Sequence, residues 1–366
     1  MTAGAAGPTG NGASAATAAS PNGDGQRRGR HRRGGRGGRG GERFMVPEAE
    51  FQSYYGRPII KEPVWEVPDV PGYLFFGGLA GASSVLAAGA QLTGRPGLAR
   101  VAKLAGLGGI SISTVFLIND LGRPARFHHM LRVFKPSSPM SMGSWILSAY
   151  GPMAGAAAVS DLAGLLPSNG PAAALATRAA AVLGPPATAA AAVLGPAVAT
   201  YTAVLICDTS VPAWHSAHRE MPYVFAGSAA SAAGGFGLLA APLPEQQPAR
   251  RLAIIGSTVE LAAKKLLERR LGPEAEPYLT GKPNAILRAG EALTAAGLAG
   301  AALTRRSRIG SALSGVALLA ASALTRYGIF EAGLASARDP KYTVVPQRRR
   351  RQAQAEQGQE QPQASG

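Results

Sequence analysis

"YLFFGGLAGASSVLAAGAQL", residues 73–92, carries no charged side chain. Crossing a bilayer as a helix takes about 20 mostly apolar residues, and this stretch supplies them. Its alanines, glycines and serines lie on every side of a helix and leave no polar face for water. Such a helix belongs in lipid, where small residues let a neighbouring backbone approach closely.

Stretches of the same kind recur at about residues 101–119, 142–166, 187–207, 222–242, 252–271, 285–303 and 309–334. "TGRPG" (93–97) and "PSNGP" (167–171) interrupt them. Between 171 and 207, Arg178 and Pro185–Pro186 break an overlong apolar run. That break predicts an interfacial helix followed by a fourth span. The pattern predicts an all-α integral membrane protein, a bundle of about eight transmembrane helices with disordered terminal extensions.

Composition supports this reading. Charged residues make up 16% of the 366, against roughly 25% in soluble domains, and they concentrate in the termini and short loops. Residues 1–45 hold the Gly/Arg-rich run "RRGRHRRGGRGGRGGER" (27–43). They have no apolar stretch fit for a secretion signal and are predicted to be disordered. Arginines of this kind suit anionic membrane lipids, and nucleic acid is set aside as a partner. Residues 46–72 contain Pro58, Pro63, Pro68 and Pro71 and read as an interfacial strap, in which Tyr54, Tyr55 and Trp65, with Tyr73 just beyond, favour the lipid headgroup level. The transmembrane domain then covers 73–334, and 335–366 form a largely disordered tail.

An even number of spans puts both termini on one side. The leader arginines, the loop 123–135 and "QRRRRQ" (347–352) share that side, which the positive-inside rule makes the cytoplasm of a multi-pass cell-membrane protein.

Cys207 is the only cysteine, so the chain cannot hold a cysteine-ligated iron–sulfur cluster, which takes about four. His31, His128, His129, His215 and His218 all lie outside the apolar stretches, leaving no haem ligands across the bilayer. No metal site is expected.

The titratable groups collect in "INDLGRPARFHHML" (118–131), where the second span meets water. Asp120 ends that span as a candidate proton acceptor, its pKa raised by burial or lowered by Arg123. Equally, Asp120 and Arg123 cap the helix and pair with each other. The imidazoles of His128 and His129 can exchange protons and hydrogen-bond a carbonyl oxygen. Trp145 sits one turn into the third span, packing on a ring or resting at headgroup depth. Tyr201, a lone phenol in the fourth span, is a hydrogen-bond donor or a satisfied core residue. Arg126, Arg132 and Lys135, with Arg123, make a basic surface for an acidic partner.

Four blocks carry a resemblance: "YYGRPIIKEPVW" (54–65), "DLGRPARFHHMLRVFKPSSPMSMGSW" (120–145), "YTAVLICDTSVPAW" (201–214) and "RYGIFEAGLASARDPKYTVVPQR" (326–348). Together they resemble the polysulfide reductase NrfD family, from about Phe51 to Arg348. The resemblance implies a membrane anchor subunit of a multi-subunit respiratory oxidoreductase, without a prosthetic group of its own. Electrons would pass between an exchangeable quinone and a ferredoxin-like 4Fe-4S subunit, wired to a molybdopterin oxidoreductase catalytic subunit. On that reading Asp120 and His128 do proton chemistry. Tyr201, His129, Trp145 and Arg123 hold the quinone, and Arg126, Arg132 and Lys135 dock the partner.

Charges also lie deep in the later spans. Glu260 and Lys264 are four apart, Arg288 and Glu291 three apart, and Arg326 stands within the eighth span. Both spacings favour pairing on one helix face. Glu260, Lys264, Glu291 and Arg326 either line a proton path or pair structurally. The same residues support an alternative function, a secondary transporter or proton channel. No internal repeat of the kind common in transporters is evident.

Overall fold

Antiparallel packing of long apolar helices builds the molecule, a computed structural model that describes residues 59–163 and 170–359. The leader 1–45, the strap's first residues (46–58), the loop 164–169 and the tail from 360 lie outside the described residues. Every regular element among the described residues is helical. In chain order they are α1 (Asp69–Leu92), α2 (Pro96–Asn119), α3 (Pro139–Ala163), α4 (Pro171–Cys207), α5 (Met221–Ala240), α6 (Gln247–Leu271), α7 (Gly281–Leu303), α8 (Arg308–Arg338) and α9 (Lys341–Gln359). Short helical turns occupy Pro124–Leu131, Pro212–Ser216 and Gly272–Leu279.

Helices α1–α8 coincide with the expected spans. Among the described residues six of them, all but α3 and α6, are long and apolar enough to cross a membrane. The full count of eight spans therefore does not follow from length and apolarity alone. The expected division at Pro185–Pro186 is absent, because α4 is one helix of 37 residues with Pro185, Pro186 and Pro196 inside it. Packing along α3, where Gly184 lies against the Ser160 hydroxyl, holds the helix through the prolines. Lipid favours this continuity, since unwinding would free more backbone groups than proline does. Helix α1 begins at Asp69, four residues before the expected start, with Pro71 in a first turn where no N–H is required.

Two four-helix bundles result. α1 packs on α2 and α4, and α3 on α2 and α4; likewise α5 packs on α6 and α8, and α7 on α6 and α8. The bundles meet where α5 contacts α1 and α4, and where α8 contacts α1. Gly81 of α1 and Gly195 of α4 cross backbone to backbone, each placed where a Cβ would strike the other's carbonyl. Hydroxyls inside the helices bond their own carbonyls, as Thr114 does to Ile110 (2.8 Å) and Thr294 to Gly290 (3.0 Å).

The start of α1, end of α2, start of α3 and end of α4 share one end of the molecule with the 208–220 connection. We call this the strap end. It is tied by side chains: Arg270 grips Glu220 through Nε (2.5 Å) and Nη2 (2.6 Å), and Tyr278 donates to the Ala213 carbonyl at 2.8 Å. Glu62 of the strap pairs with Arg338 at the end of α8. Lys341 bonds Glu276 at 2.7 Å, anchoring α9, so residues 341–359 of the segment expected to be disordered are helical. At the opposite end, Glu245 accepts from the Leu98 N–H (2.8 Å), and Arg308 caps carbonyls at the end of α5.

Candidate functional site

The strap end of the first bundle gathers aromatic rings, hydroxyls and carboxylates. A cavity there is lined by Trp65 and Asp69 from the strap and start of α1, Tyr73, Phe116 and Asp120 from α1 and α2, and Met140 and Leu205 from α3 and α4. Its volume is only about 40 Å³, room for one or two waters.

Asp120 is half-buried just past the last residue of α2. It accepts a long hydrogen bond, 3.5 Å, from the Glu66 backbone N–H. Burial raises its pKa above the usual aspartate value; the Glu66 N–H works against this, and the charges of Asp69 and Glu66 add to it. Of the two directions the sequence leaves open, burial favours the raised one. Arg123 does not pair with Asp120 among the described residues; its side chain is exposed.

Tyr201 reaches this site through a second phenol. Its hydroxyl hydrogen-bonds that of Tyr73, with the rings edge-on at 6.3 Å and both residues buried. Gly143 of α3 makes room, since a Cβ there would enter the Tyr201 ring. Tyr73 therefore belongs with the candidate residues, as do Asp69 and Trp65. Sequence reasoning placed Tyr73 and Trp65 only as headgroup-level aromatics. Tyr73 and Tyr201 are 128 positions apart, and only the α1–α4 contact brings them together.

His128 and His129 stand on the exposed turn 124–131, their rings 4.4 Å apart, and neither lines the Asp120 cavity. Beside this turn a second cavity of about 150 Å³ opens between α2 and α3, lined by Thr114, Leu117, Ile118, Phe127, Met130, Ser144 and Leu147 among others. Leu117 walls both cavities. Trp145 lines neither: it donates from Nε1 to the Val133 carbonyl (3.4 Å) and packs edge-on against Phe134. Ser141 bonds the Val133 carbonyl and the Lys135 N–H, so it fastens the loop rather than capping α3. Arg126, Arg132 and Lys135 are exposed on this loop and have no ion-pair partner among the described residues.

The intramembrane charges form a separate centre in the second bundle. Arg326 is fully buried, its guanidinium 3.7 Å over the Phe225 ring and donating to the Phe225 carbonyl at 2.8 Å. Its Nε and Nη1, and Glu260 Oε2, have no hydrogen-bond partner among the described residues. Glu260 accepts from Thr325 (2.7 Å) and pairs with Lys264 (3.2 Å), which also donates to Thr325 at 2.9 Å. Lys264 in turn lines a cavity of about 140 Å³ with Glu268, Arg288 and Glu291. The expected Arg288–Glu291 pair is not formed; Arg288 bonds Asn284 instead, at 3.1 Å. No group of three or more His, Cys, Asp and Glu side chains is arranged to hold a metal among the described residues.

A family model described as polysulphide reductase, NrfD, matches residues 59–253, more than half of the chain. The match takes in the first bundle, α5 and the start of α6, so the block 326–348 lies beyond it. No curated protein matches the sequence.

Proposed function

Because the chain belongs to the polysulphide reductase NrfD family, whose members are membrane subunits of quinone-interacting oxidoreductase complexes, we propose that it exchanges electrons with the quinone pool at the strap end of its first bundle. One observation carries this reading: Asp120 and Tyr73 line one cavity, and Tyr73 is bonded to Tyr201. The donor set fits a quinone headgroup, which needs hydrogen bonds at its carbonyl oxygens and a group that takes or gives protons. The Asp120 cavity alone is too small for a ring. The neighbouring space, about 150 Å³, is larger, and Leu117 lines both.

The bound quinone supplies the two-electron chemistry. The chain's own residues position it and handle its protons. The Tyr73–Tyr201 pair donates one hydrogen bond outward while keeping the other between its hydroxyls. Asp120, its pKa raised by burial, holds a proton more readily than an exposed aspartate and passes it toward the exposed loop where His128 and His129 stand. Phe116 and Leu117 keep bulk water from the ring. Arg123, Arg126, Arg132 and Lys135 present positive charge beside this site to an acidic ferredoxin-like 4Fe-4S subunit, which a molybdopterin oxidoreductase subunit serves in turn. In this reading the strap end, with both termini, faces the cytoplasm of the cell membrane.

The test is co-expression with the partner subunits and assay of quinol oxidation in proteoliposomes. Turnover and quinol affinity unchanged in Asp120→Asn and Tyr201→Phe would sink the assignment.

A second reading rests on the buried Glu260–Lys264–Thr325–Arg326 centre, with its unpartnered charged atoms. It makes the second bundle a proton path, either coupled to electron transfer or as a channel or transporter in its own right. Proton flux into liposomes by the isolated chain would favour the independent channel. Flux only during quinol oxidation would favour coupling.

A further inference from the structure

A cavity of about 380 Å³ lies at the end opposite the strap, between the α1–α2 turn, the end of α3 and the N-terminal half of α4. Three cations line it, Arg95, Arg100 and Lys103, against one carboxylate, Asp161. Lys103 is buried and takes Asp161 at 2.7 Å. Arg100 is left a looser contact with the same carboxylate, 3.7 Å, and its Nε is buried without a hydrogen-bond partner among the described residues. Arg95 has no carboxylate within ion-pair distance among the described residues; it reaches only the Thr93 carbonyl, at 3.4 Å. The cavity therefore holds an uncompensated positive charge, with at least one buried donor unfilled.

Its other groups are those of a lipid boundary. Gln91 contributes a buried Oε1 with no partner among the described residues, an acceptor for a headgroup hydroxyl. Ala180, Ala181 and Pro185 of α4 line the wall, and the adjacent Leu175, Val182 and Leu183 are 61–71% exposed, a surface for acyl chains.

We propose that this cavity binds the phosphate of an anionic phospholipid, with Arg95 and Arg100 on the phosphate oxygens, Gln91 on a headgroup hydroxyl and the tails along the outer side of α4. Arginine forks suit phosphate oxygens, and a basic pocket between membrane helices suits lipid headgroups. The buried Lys103 and the half-buried Asp161 line the cavity as an ion pair.

The test uses the full-length protein in mild detergent after delipidation, titrated with dioleoylphosphatidylglycerol and followed by thermal unfolding. Phosphatidylglycerol is expected to stabilise the protein saturably, while dioleoylphosphatidylcholine and inorganic phosphate at equal concentration do little. Arg95→Gln, which breaks no ion pair, is expected to shift the midpoint about fivefold. The double variant Arg95→Gln/Arg100→Gln is expected to shift it about 30-fold, and Arg95→Lys/Arg100→Lys to retain most of the response. An unchanged midpoint in Arg95→Gln overturns the proposal, as does an equal response to phosphatidylcholine. A full response to inorganic phosphate overturns the lipid assignment. Native mass spectrometry of the unmutated protein gives an independent reading: no phosphatidylglycerol retained after gentle detergent exchange also overturns it.

Discussion

Trp65 stacks on Trp214 with 5.4 Å between ring centroids and 28° between planes. Trp214 is fully buried, donates from Nε1 to the Ile329 carbonyl of α8 (2.8 Å) and lies against Gly333, where any Cβ would enter its ring. The strap that supplies part of the candidate site is thus fixed to the second bundle. Trp214→Ala should destabilise the protein by about 3–5 kcal/mol, as large aromatic truncations do, and Gly333→Ala should lower the melting temperature too. Trp65→Ala, at a half-buried position, should cost less in stability but weaken quinol affinity by loosening the strap. Thermal unfolding and a quinol titration check both.

Asp120 sets a pH dependence. Burial raises its folded-state pKa above the unfolded value. Its contribution to stability is therefore fully present below the unfolded pKa and is lost as pH rises through the folded one. Asp120→Asn should leave the protein at least as stable as wild type at neutral pH. It should also cut quinol oxidation about 10²–10⁴-fold, the usual scale for a general acid–base group, and abolish the acid limb of the pH–rate profile. A variant that keeps that limb would assign it to another group.

The two phenols should behave as a unit. Tyr73→Phe or Tyr201→Phe alone leaves the other buried hydroxyl without its partner, a cost of about 1–3 kcal/mol, whereas removing both should cost less than the two losses combined. A double-mutant cycle on unfolding measures the coupling, expected at about 0.5–3 kcal/mol. The same variants should raise KM for quinol more than they lower kcat, since the pair holds the ring and leaves proton transfer to Asp120.

Glu260→Ala would leave buried Lys264 without its carboxylate and Thr325 without its acceptor, and should destabilise by about 3–5 kcal/mol. Glu260→Gln keeps the Thr325 hydrogen bond and separates structure from transport. If the centre is a proton path, this variant should retain quinol turnover while losing the accompanying pH change in proteoliposomes. Loss of both together would mark a structural role.

Docking through the loop 120–138 should depend on salt. Changing Arg126, Arg132 and Lys135 to Gln should slow association with the iron–sulfur partner and flatten its ionic-strength dependence, because exposed charges steer encounter more than they hold a complex. Stopped-flow binding at low and high salt reads this directly.

The sequence determined the helices and little of their meeting points. Long apolar stretches without charge become helices in lipid because each can satisfy its backbone only within itself, and that rule is local. Hence α1, α2 and α8 stand close to where composition puts them, and the Glu260–Lys264 pair was legible from its spacing of four. Asp120 was legible as a titratable group at a span's end, although the sign of its pKa shift was not, since that depends on how much of the strap covers it.

Tertiary structure decided the rest. Pro185 and Pro186 read as a break, yet α3 packs against α4 and carries the helix through them. Arg288 was expected to pair with Glu291 and bonds Asn284 instead. Tyr73 meets Tyr201, and Trp65 meets Trp214, only because helices far apart in sequence cross through residues such as Gly81, Gly195 and Gly143, whose missing Cβ sets the approach. Helix formation follows from hydrogen bonds between residues four apart, so a linear pattern encodes it. Which side chains share a cavity follows from shape complementarity between distant helices, which no local pattern carries.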